Sequence, residues 1–308
     1  MNSLKLFFHL FIGMETTNAI KKIDIHCHAT KRRLEHTITK VCDLDFIQSK
    51  MTENNIDKTV VLATYFPHKA SGISNYRMHH WINQKNSLID EKIGRNKKKP
   101  FEMFASLDFE NYFYQGINEL EEMADEGLII GIKIYTCYQE IDLNSDRFDK
   151  VLQIAESYNL PIMFHLGDSY SSMRKYGRPT IATPVYPKDL ETVVQKKEIN
   201  FIVSHLALPN VRDLTKLVNS NSNVYSDMSG LIGSFTKRHK IPYAVNLIKL
   251  FLDECGPERL LFGTDFPVQT HEDSVLMLDE ALLEYSIDDK KNVYHNNAKK
   301  LLYGRNKK

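Results

Sequence analysis

The sequence is poor in cysteine and has almost no excess of charge of either sign. Its 308 residues include 4 cysteines and no C-x-x-C pair, so neither a disulfide framework nor a thiolate zinc site is indicated. Lys and Arg total 40 against 39 Asp and Glu, which gives a net charge of +1. A nearly neutral chain has no field that attracts nucleic acid or acidic lipid. We therefore expect neither a nucleic-acid partner nor a membrane partner.

The chain also lacks internal repeats, low-complexity tracts and linkers rich in proline and glycine, which number 10 and 13. Hydrophobic residues make up 42% and charged residues 26%. These shares are typical of a globular protein and exclude a disordered chain, a collagen-like chain and a polytopic membrane protein. With no composition boundary to divide it, the segment 20–308 is expected to form a single domain.

Residues 1–19 form an N-terminal extension. Residues 4–14 are apolar apart from Lys5 and His9, and this stretch is too short to cross a bilayer. Lys5, the short apolar core and the small residues around Ala19 outline a secretory signal peptide. However, His9 interrupts the core, and Met14 offers an alternative start for a cytoplasmic chain. We expect a cytoplasmic location, with secretion as the minority interpretation.

Short β-branched or apolar segments alternate with longer segments of helical period, which is typical of βαβ units and a parallel sheet. The strand candidates are 23–27, 59–64, 101–107, 128–135, 161–165, 201–204, 224–226 and 260–263. Amphipathic helices are predicted at 114–126, 148–158, 245–254 and 274–284. This pattern predicts the α/β class and a single-domain (β/α)₈ TIM barrel. Two long connections, 66–83 and 167–187, follow strand ends and are predicted to line the barrel mouth.

Histidines and an aspartate stand at the carboxyl ends of predicted strands. His26 and His28 are two residues apart, so on a strand their imidazoles point to one face. By itself this pair fits two hydrogen-bonded histidines inside the barrel equally well. His165, His205 and Asp265 end three further apolar strands, and such ends meet at one mouth. Imidazoles and a carboxylate suit Zn²⁺, with a coordination position left for water.

These residues and their neighbours resemble the amidohydrolase superfamily, and within it the amidohydrolase-related branch of metal-dependent TIM-barrel hydrolases and decarboxylases. The motifs that carry the resemblance are Asp24-Ile-His-Cys-His28, Gly131-Ile-Lys133, Ser204-His205, Gly263-Thr-Asp265-Phe-Pro267 and the terminal Asn297-Ala298. The resemblance implies that His26, His28, His165 and Asp265 hold one divalent metal ion per chain, usually zinc. It also implies that His205 is a catalytic residue beside the metal.

The chemistry of these groups agrees with that resemblance. A metal lowers the pKa of bound water towards ~7, and Asp265 can take the proton and pass it to a leaving group. His205 is expected to donate a hydrogen bond to a carbonyl oxygen as charge develops there. Asp24 lies two residues before His26, on the same predicted strand face, and is expected to support it or to cap the first turn. Where the family often has x-Gly-Gly after His205, this chain has Leu206-Ala207-Leu208, whose side chains are expected to narrow the substrate's approach.

Lys133 has three interpretations. It is expected to be a point charge for an anionic substrate; a carboxylated lysine that bridges two metals and a buried lysine paired with a carboxylate are the alternatives. Arg77, in the first long connection, is a candidate to bind a substrate carboxylate in a bidentate manner. Tyr135 follows the same strand as Lys133 and is a candidate for an aromatic wall, although plain packing is common for such residues.

The expected function is zinc-dependent hydrolysis of a small carbonyl compound: an ester, lactone or amide that bears a carboxylate. A metal-dependent non-oxidative decarboxylase or hydratase of an aromatic or unsaturated acid, a lyase, is the main alternative. A TatD-type nuclease has a similar opening motif but uses a glutamate on the fourth strand, where this chain has Gly131-Ile-Lys133. A barrel that only binds is disfavoured by the complete ligand set. The expected partner is a small-molecule substrate, and the sequence leaves a homodimer open.

Overall fold

A computed structural model describes residues 19–31, 42–64, 73–93, 99–166, 184–232 and 240–304. The signal-like segment before Ala19 and most of the predicted connection 167–187 lie outside these ranges. No helix within them is long and apolar enough to cross a membrane.

Eight parallel strands form one sheet in chain order. They are β1 (Lys22–Cys27), β2 (Ile56–Leu62), β3 (Phe101–Ser106), β4 (Ile132–Tyr135), β5 (Ile162–His165), β6 (Phe201–Val203), β7 (Val224–Asp227) and β8 (Leu260–Leu261). The Ile25 N–H donates to the Phe262 carbonyl at 3.1 Å, and Cys27 forms an isolated parallel bridge with Phe266. The sheet therefore curls into a nearly closed barrel, which confirms the predicted fold class.

The α-helices lie between the strands and after the last one. They are α1 (Leu44–Glu53), α2 (Asn75–Ile93), α3 (Phe113–Asp125), α4 (Asp146–Ser157), α5 (Val211–Ser220), α6 (Ile241–Cys255), α7 (His271–Ala281), α8 (Ile287–Lys291) and α9 (Asn297–Tyr303). A π-helical segment, Asn292–Asn296, separates α8 from α9. Ser145 caps α4 by accepting a hydrogen bond from the Phe148 N–H, as expected of a serine before an apolar-periodic segment.

Two buried clusters divide the apolar side chains. The cluster inside the barrel contains Ile23, Ile25, Val60, Leu62, Phe104, Met163, Ile202 and Leu261, with Ala298 and Leu301 of α9 packed against it. The larger cluster fills the layer between the strands and the helices. Apolar side chains therefore fill the barrel interior, while His26 and His165 lie at the carboxyl ends of β1 and β5 and Asp265 follows β8.

The predicted connection 66–83 is wrong over its second half, because α2 begins at Asn75. Asn75 and Asn86 are buried on α2 and bond to opposite ends of β3. Asn75 donates to the Ser106 carbonyl and accepts from its N–H, both at 2.9 Å. Asn86 makes the same exchange with Phe101, at 2.9 and 3.3 Å. These reciprocal hydrogen bonds hold α2 along β3. The local sequence by itself does not specify where this helix begins.

The buried amide of Asn86 predicts a measurable loss of stability. Asn86→Ala would leave two backbone groups of Phe101 without partners, so we expect the free energy of unfolding to fall by about 1–3 kcal/mol. Urea denaturation measures the difference. Asn83→Ala, at an exposed position of the same helix, is the matched control and should change stability by less than about 0.5 kcal/mol. Equal midpoints for the two variants would contradict this role.

Candidate metal centre

The two histidines at the end of β1 face the aspartate that follows β8. His26 Nε2 lies 3.4 Å, and His28 Nε2 3.3 Å, from the same oxygen of Asp265, Oδ1. These three residues form one group whose ligand-type atoms all lie within 4.8 Å of one another. The structure therefore brings together three of the four residues that the sequence assigns to a metal.

Backbone contacts create this convergence. The Asp265 N–H donates to the His26 carbonyl at 2.7 Å, and the His28 N–H donates to the Phe266 carbonyl at 2.7 Å. Asp265 has φ 54°, a left-handed conformation that is uncommon for a residue other than glycine and is often found at functional sites. The pairing of β1 with the segment after β8 thus sets where the Asp265 carboxylate points.

A second aspartate, Asp227 at the end of β7, contacts the other ring nitrogen of His26, Nδ1. Its Oδ2 lies 3.0 Å from His26 Nδ1. Because a carboxylate accepts hydrogen bonds, Nδ1 carries the proton and Nε2 keeps its lone pair on the side of Asp265. Burial lowers the pKa of His26, but the charges and hydrogen bonds of Asp227 and Asp265 outweigh burial. The pKa of His26 is therefore raised. Asp227 was not predicted from the sequence, although it ends an apolar strand with a polar side chain, as His165 and His205 do.

Ser229 connects Asp227 to His205. The Oδ1 atom of Asp227 accepts the backbone N–H groups of His205 and Ser229, both at 3.0 Å, and the Ser229 hydroxyl. The Ser229 Oγ lies 3.0 Å from His26 Nδ1 and 2.9 Å from His205 Nδ1. His26, His205 and Asp227 make up a second group of clustered ligand-type atoms. Asp227 is therefore the common anchor for both histidines.

The tautomer of His205 differs from the one that the sequence-based role requires. His205 Nδ1 lies 2.9 Å from the Ser229 carbonyl oxygen, which only accepts, so Nδ1 is the protonated nitrogen. Burial lowers the pKa of His205 to about 4, which keeps the ring neutral near pH 7. In this form Nε2 carries a lone pair and accepts a hydrogen bond. This tautomer suits Nε2 to accept a proton rather than to donate a hydrogen bond to a substrate carbonyl. The catalytic role of His205 stays a prediction.

The backbone around His205 is unusual. His205, Leu206 and Ala207 have φ 59°, 51° and 50°, so three consecutive residues adopt the left-handed conformation that favours glycine. Gly230 faces this turn with φ 62°, and a Cβ there would lie 2.6 Å from Asp265 Oδ2 and 2.8 Å from His205 Nδ1. Gly230 is thus required for the close approach of the two side chains.

His165 lies beside His205 rather than in either of these clusters. The ring centroids of His165 and His205 are 4.7 Å apart, and Tyr138 and Tyr135 flank His165 at 5.5 and 6.3 Å. Burial, followed by the neighbouring His205, holds the pKa of His165 well below its usual range. A neutral imidazole is the form that binds metals. The assignment of His165 as a metal ligand stays a prediction.

Lys133 is fully buried in β4 and faces the same site. Its Nζ donates to Ser204 Oγ at 2.6 Å and lies 5.3 Å from the centroid of the Tyr135 ring. Burial lowers the pKa of Lys133 to about 8, against the opposing charges of Asp227 and Asp265. No carboxylate of the described residues forms an ion pair with it, which counts against the interpretation of a directly paired structural lysine. The Tyr135 hydroxyl donates to the Ala63 carbonyl at 3.0 Å.

The structure places Asp24 and Arg77 differently from what the sequence predicts. The strand register shifts between Asp24 and Cys27, so Asp24 does not share the face of His26. Asp24 instead accepts the N–H groups of His26 and Thr264, at 3.1 and 3.0 Å, and the Thr264 hydroxyl at 2.7 Å. It therefore supports the backbone of the site, and its hydrogen bond to His26 is to the main-chain N–H and not to the imidazole. Arg77 is exposed on α2 and not in a loop, and its role in substrate binding stays a prediction.

Comparisons with known proteins place the chain in a family. A family model described as amidohydrolase matches residues 23–303. Similar solved structures include a probable 2-pyrone-4,6-dicarboxylic acid hydrolase from Acinetobacter baumannii, with TM-score 0.62, 16% identity, and coverage of 92% of this chain and 99% of that chain. A 5-carboxyvanillate decarboxylase from Sphingomonas paucimobilis has TM-score 0.60 and 14% identity, covering 92% and 99%.

A dihydroxybenzoic acid decarboxylase from Polaromonas sp. JS666, with bound manganese, has TM-score 0.58 and 15% identity, covering 92% of this chain and 97% of that chain. At such identities, the similarity shows a shared fold. No curated protein matches the chain. The family match, in contrast, spans nearly the whole sequence and includes every residue of the two clusters described above. The chain therefore belongs to the amidohydrolase family and is an amidohydrolase-related enzyme.

Proposed function

We propose that this protein is a metal-dependent hydrolase of a small ester, lactone or amide that bears a carboxylate. The observation that carries the proposal is the convergence of His26, His28 and Asp265 at the barrel mouth. The names of similar structures include both a hydrolase and decarboxylases of carboxylate-bearing compounds. Those names support the substrate class and not one particular substrate.

The side chains fit a divalent metal. Among the residues that the structure describes, buried His26 Nε2 has no hydrogen-bond partner, and the bond from Nδ1 to Asp227 leaves its lone pair facing Asp265. A buried nitrogen without a partner is costly, and a metal at this position would satisfy it. Two imidazoles and a carboxylate are ligands that suit zinc, and His165 would complete the set. Manganese in one structural neighbour is consistent with other divalent metals.

A divalent metal bound by these residues would supply a Lewis acid and would lower the pKa of a water molecule that binds to it. Neutral His205 offers Nε2 as a proton acceptor beside Asp265. Asp265 is held ionised, since His205, His26 and His28 keep its pKa well below the usual range despite burial. These two groups would take the proton from the attacking water and return it to the leaving group.

Lys133 would bind the carboxylate of the substrate. Its ammonium group is buried without an ion-paired carboxylate among the described residues, and a buried charge of this kind is stabilised by an anionic ligand. The hydrogen bond to Ser204 uses one N–H donor of the ammonium group, and the group carries further donors that can bind that ligand.

A decarboxylase is the second candidate, favoured by the decarboxylases among the similar structures. The same metal ligands and the same lysine would bind an aromatic carboxylic acid. Release of CO₂ from such an acid, with no turnover of lactones or esters, would select this alternative.

The roles of His165 and His205 are separable. We predict that His165→Ala loses both metal and turnover, whereas His205→Ala keeps the metal and loses turnover. Elemental analysis and assays with a panel of lactones, esters and aromatic acids measure the two properties. His80→Ala, at an exposed position of α2, is the control and should retain both. Full activity of His205→Ala would show that its assignment is wrong.

Asp227 predicts an effect on metal affinity. Asp227→Asn keeps the shape but replaces one accepting oxygen with an NH₂ group, so either the bond from His26 Nδ1 or the backbone bonds to His205 and Ser229 are lost. Changes to groups that orient a metal-bound histidine typically weaken metal binding about 10–100-fold. Competition with a chromophoric chelator measures this. An unchanged affinity would mean that His26 does not need Asp227 for its orientation.

Lys133→Met tests the contact with the substrate. For a substrate with a carboxylate, we expect kcat/KM to fall by roughly 10- to 100-fold, which corresponds to the loss of a charge-assisted hydrogen bond. The neutral methyl ester of the same carboxylate is the matched substrate and should be affected much less. An equal loss on both substrates, or a loss of metal from the variant, would contradict a role in binding the carboxylate.

A further inference from the structure

A third cluster of ligand-type side chains lies next to the candidate metal centre and shares no residue with it. Asp24, Cys27 and His271 are all buried, and their carboxylate, thiol and imidazole atoms lie within 4.8 Å of one another. Asp24 and Cys27 belong to β1, and His271 is the first residue of α7. None of these three residues binds the metal or contacts the substrate in the function proposed above.

The buried ring of His271 is the reason to expect a ligand in this cluster. The residue is 0% exposed, yet within the described part of the chain neither Nδ1 nor Nε2 has a hydrogen-bond partner. The distance from His271 Nε2 to Asp24 Oδ2 is 4.0 Å, which is too long for a hydrogen bond. The ring of Phe266 lies 4.8 Å away and supplies no acceptor. Buried polar atoms in folded proteins nearly always have a partner, so two unpaired nitrogens on one ring call for an explanation.

We propose that Asp24, Cys27 and His271 form a second, buried site for a divalent cation of the zinc type. A thiolate, an imidazole and a carboxylate are all zinc ligands. The thiolate and the carboxylate together neutralise the charge of a divalent cation, which removes the main cost of burying it. The thiol of Cys27 releases its proton to solvent when the metal binds. Asp24 Oδ2 accepts one bond, from Thr264, and retains a lone pair for the cation.

The geometry fits such a site if the three ligand atoms move slightly closer together. Metal–ligand bonds of about 2.0–2.3 Å place tetrahedral ligand atoms roughly 3.3–3.7 Å apart. Ligand atoms separated by up to 4.8 Å would need to approach by about 1 Å. Cys27 packs in the apolar layer between the strands and the helices, while His26 and His28 face Asp265. The second cation would therefore connect β1 to α7 without sharing a ligand with the first.

Cobalt substitution distinguishes the two sites, because only the second contains sulfur. The full-length protein is loaded with Co²⁺; cobalt per chain is measured by elemental analysis, and thiolate coordination by its near-ultraviolet charge-transfer absorption. We expect about two cobalt ions per chain and a thiolate band. Cys27→Ser should retain about one cobalt and lose the band, and His271→Gln should also retain about one.

Two controls separate this proposal from the proposed function. Cys42→Ser changes another buried cysteine and should keep both cobalt ions and the band. His28→Ala disrupts the first site and should keep the band, whether or not the enzyme is active on any substrate. About one cobalt per wild-type chain with no thiolate band, or a band that survives Cys27→Ser, would overturn the second site. The wild-type spectrum decides the question even if one variant fails to fold.

Discussion

Hydrogen bonds between the end of β1 and the segment after β8 are the constraint on which the candidate site depends. The Asp265 N–H donates to the His26 carbonyl, and the His28 N–H donates to the Phe266 carbonyl, each at 2.7 Å. These bonds bring the first and last strands together, and they also place two imidazoles against one carboxylate. Barrel closure and assembly of the site are therefore the same structural event. Asp24 strengthens it by accepting N–H groups from both segments.

The electrostatics of the site follow from burial. Asp227 and Asp265 stay ionised because histidines donate to them or lie beside them. His205 stays neutral because burial opposes its protonation. The buried charges of Asp227 and Asp265 are thus set against neighbouring imidazoles, as low-dielectric surroundings require. Lys133 is the exception in having no ion-paired carboxylate among the described residues, and this is the reason for assigning it a substrate contact.

The sequence predicted the barrel because apolar strands and amphipathic helices are local patterns. It also predicted that His26, His28 and Asp265 meet, since parallel strands share one carboxyl edge. The start of α2 at Asn75 was missed because tertiary bonds to β3 hold that helix in place. The orientation of Asp24 was missed because a register shift in β1 is set by pairing with neighbouring strands and interrupts the alternation of faces.

The most direct test of this account is anomalous X-ray diffraction, at the absorption edge of the bound metal, from crystals of the purified protein. We expect a peak about 2.0–2.2 Å from His26 Nε2, His28 Nε2 and the Asp265 carboxylate. A map without a peak among these three side chains, from protein that carries about one metal ion per chain, would contradict the account.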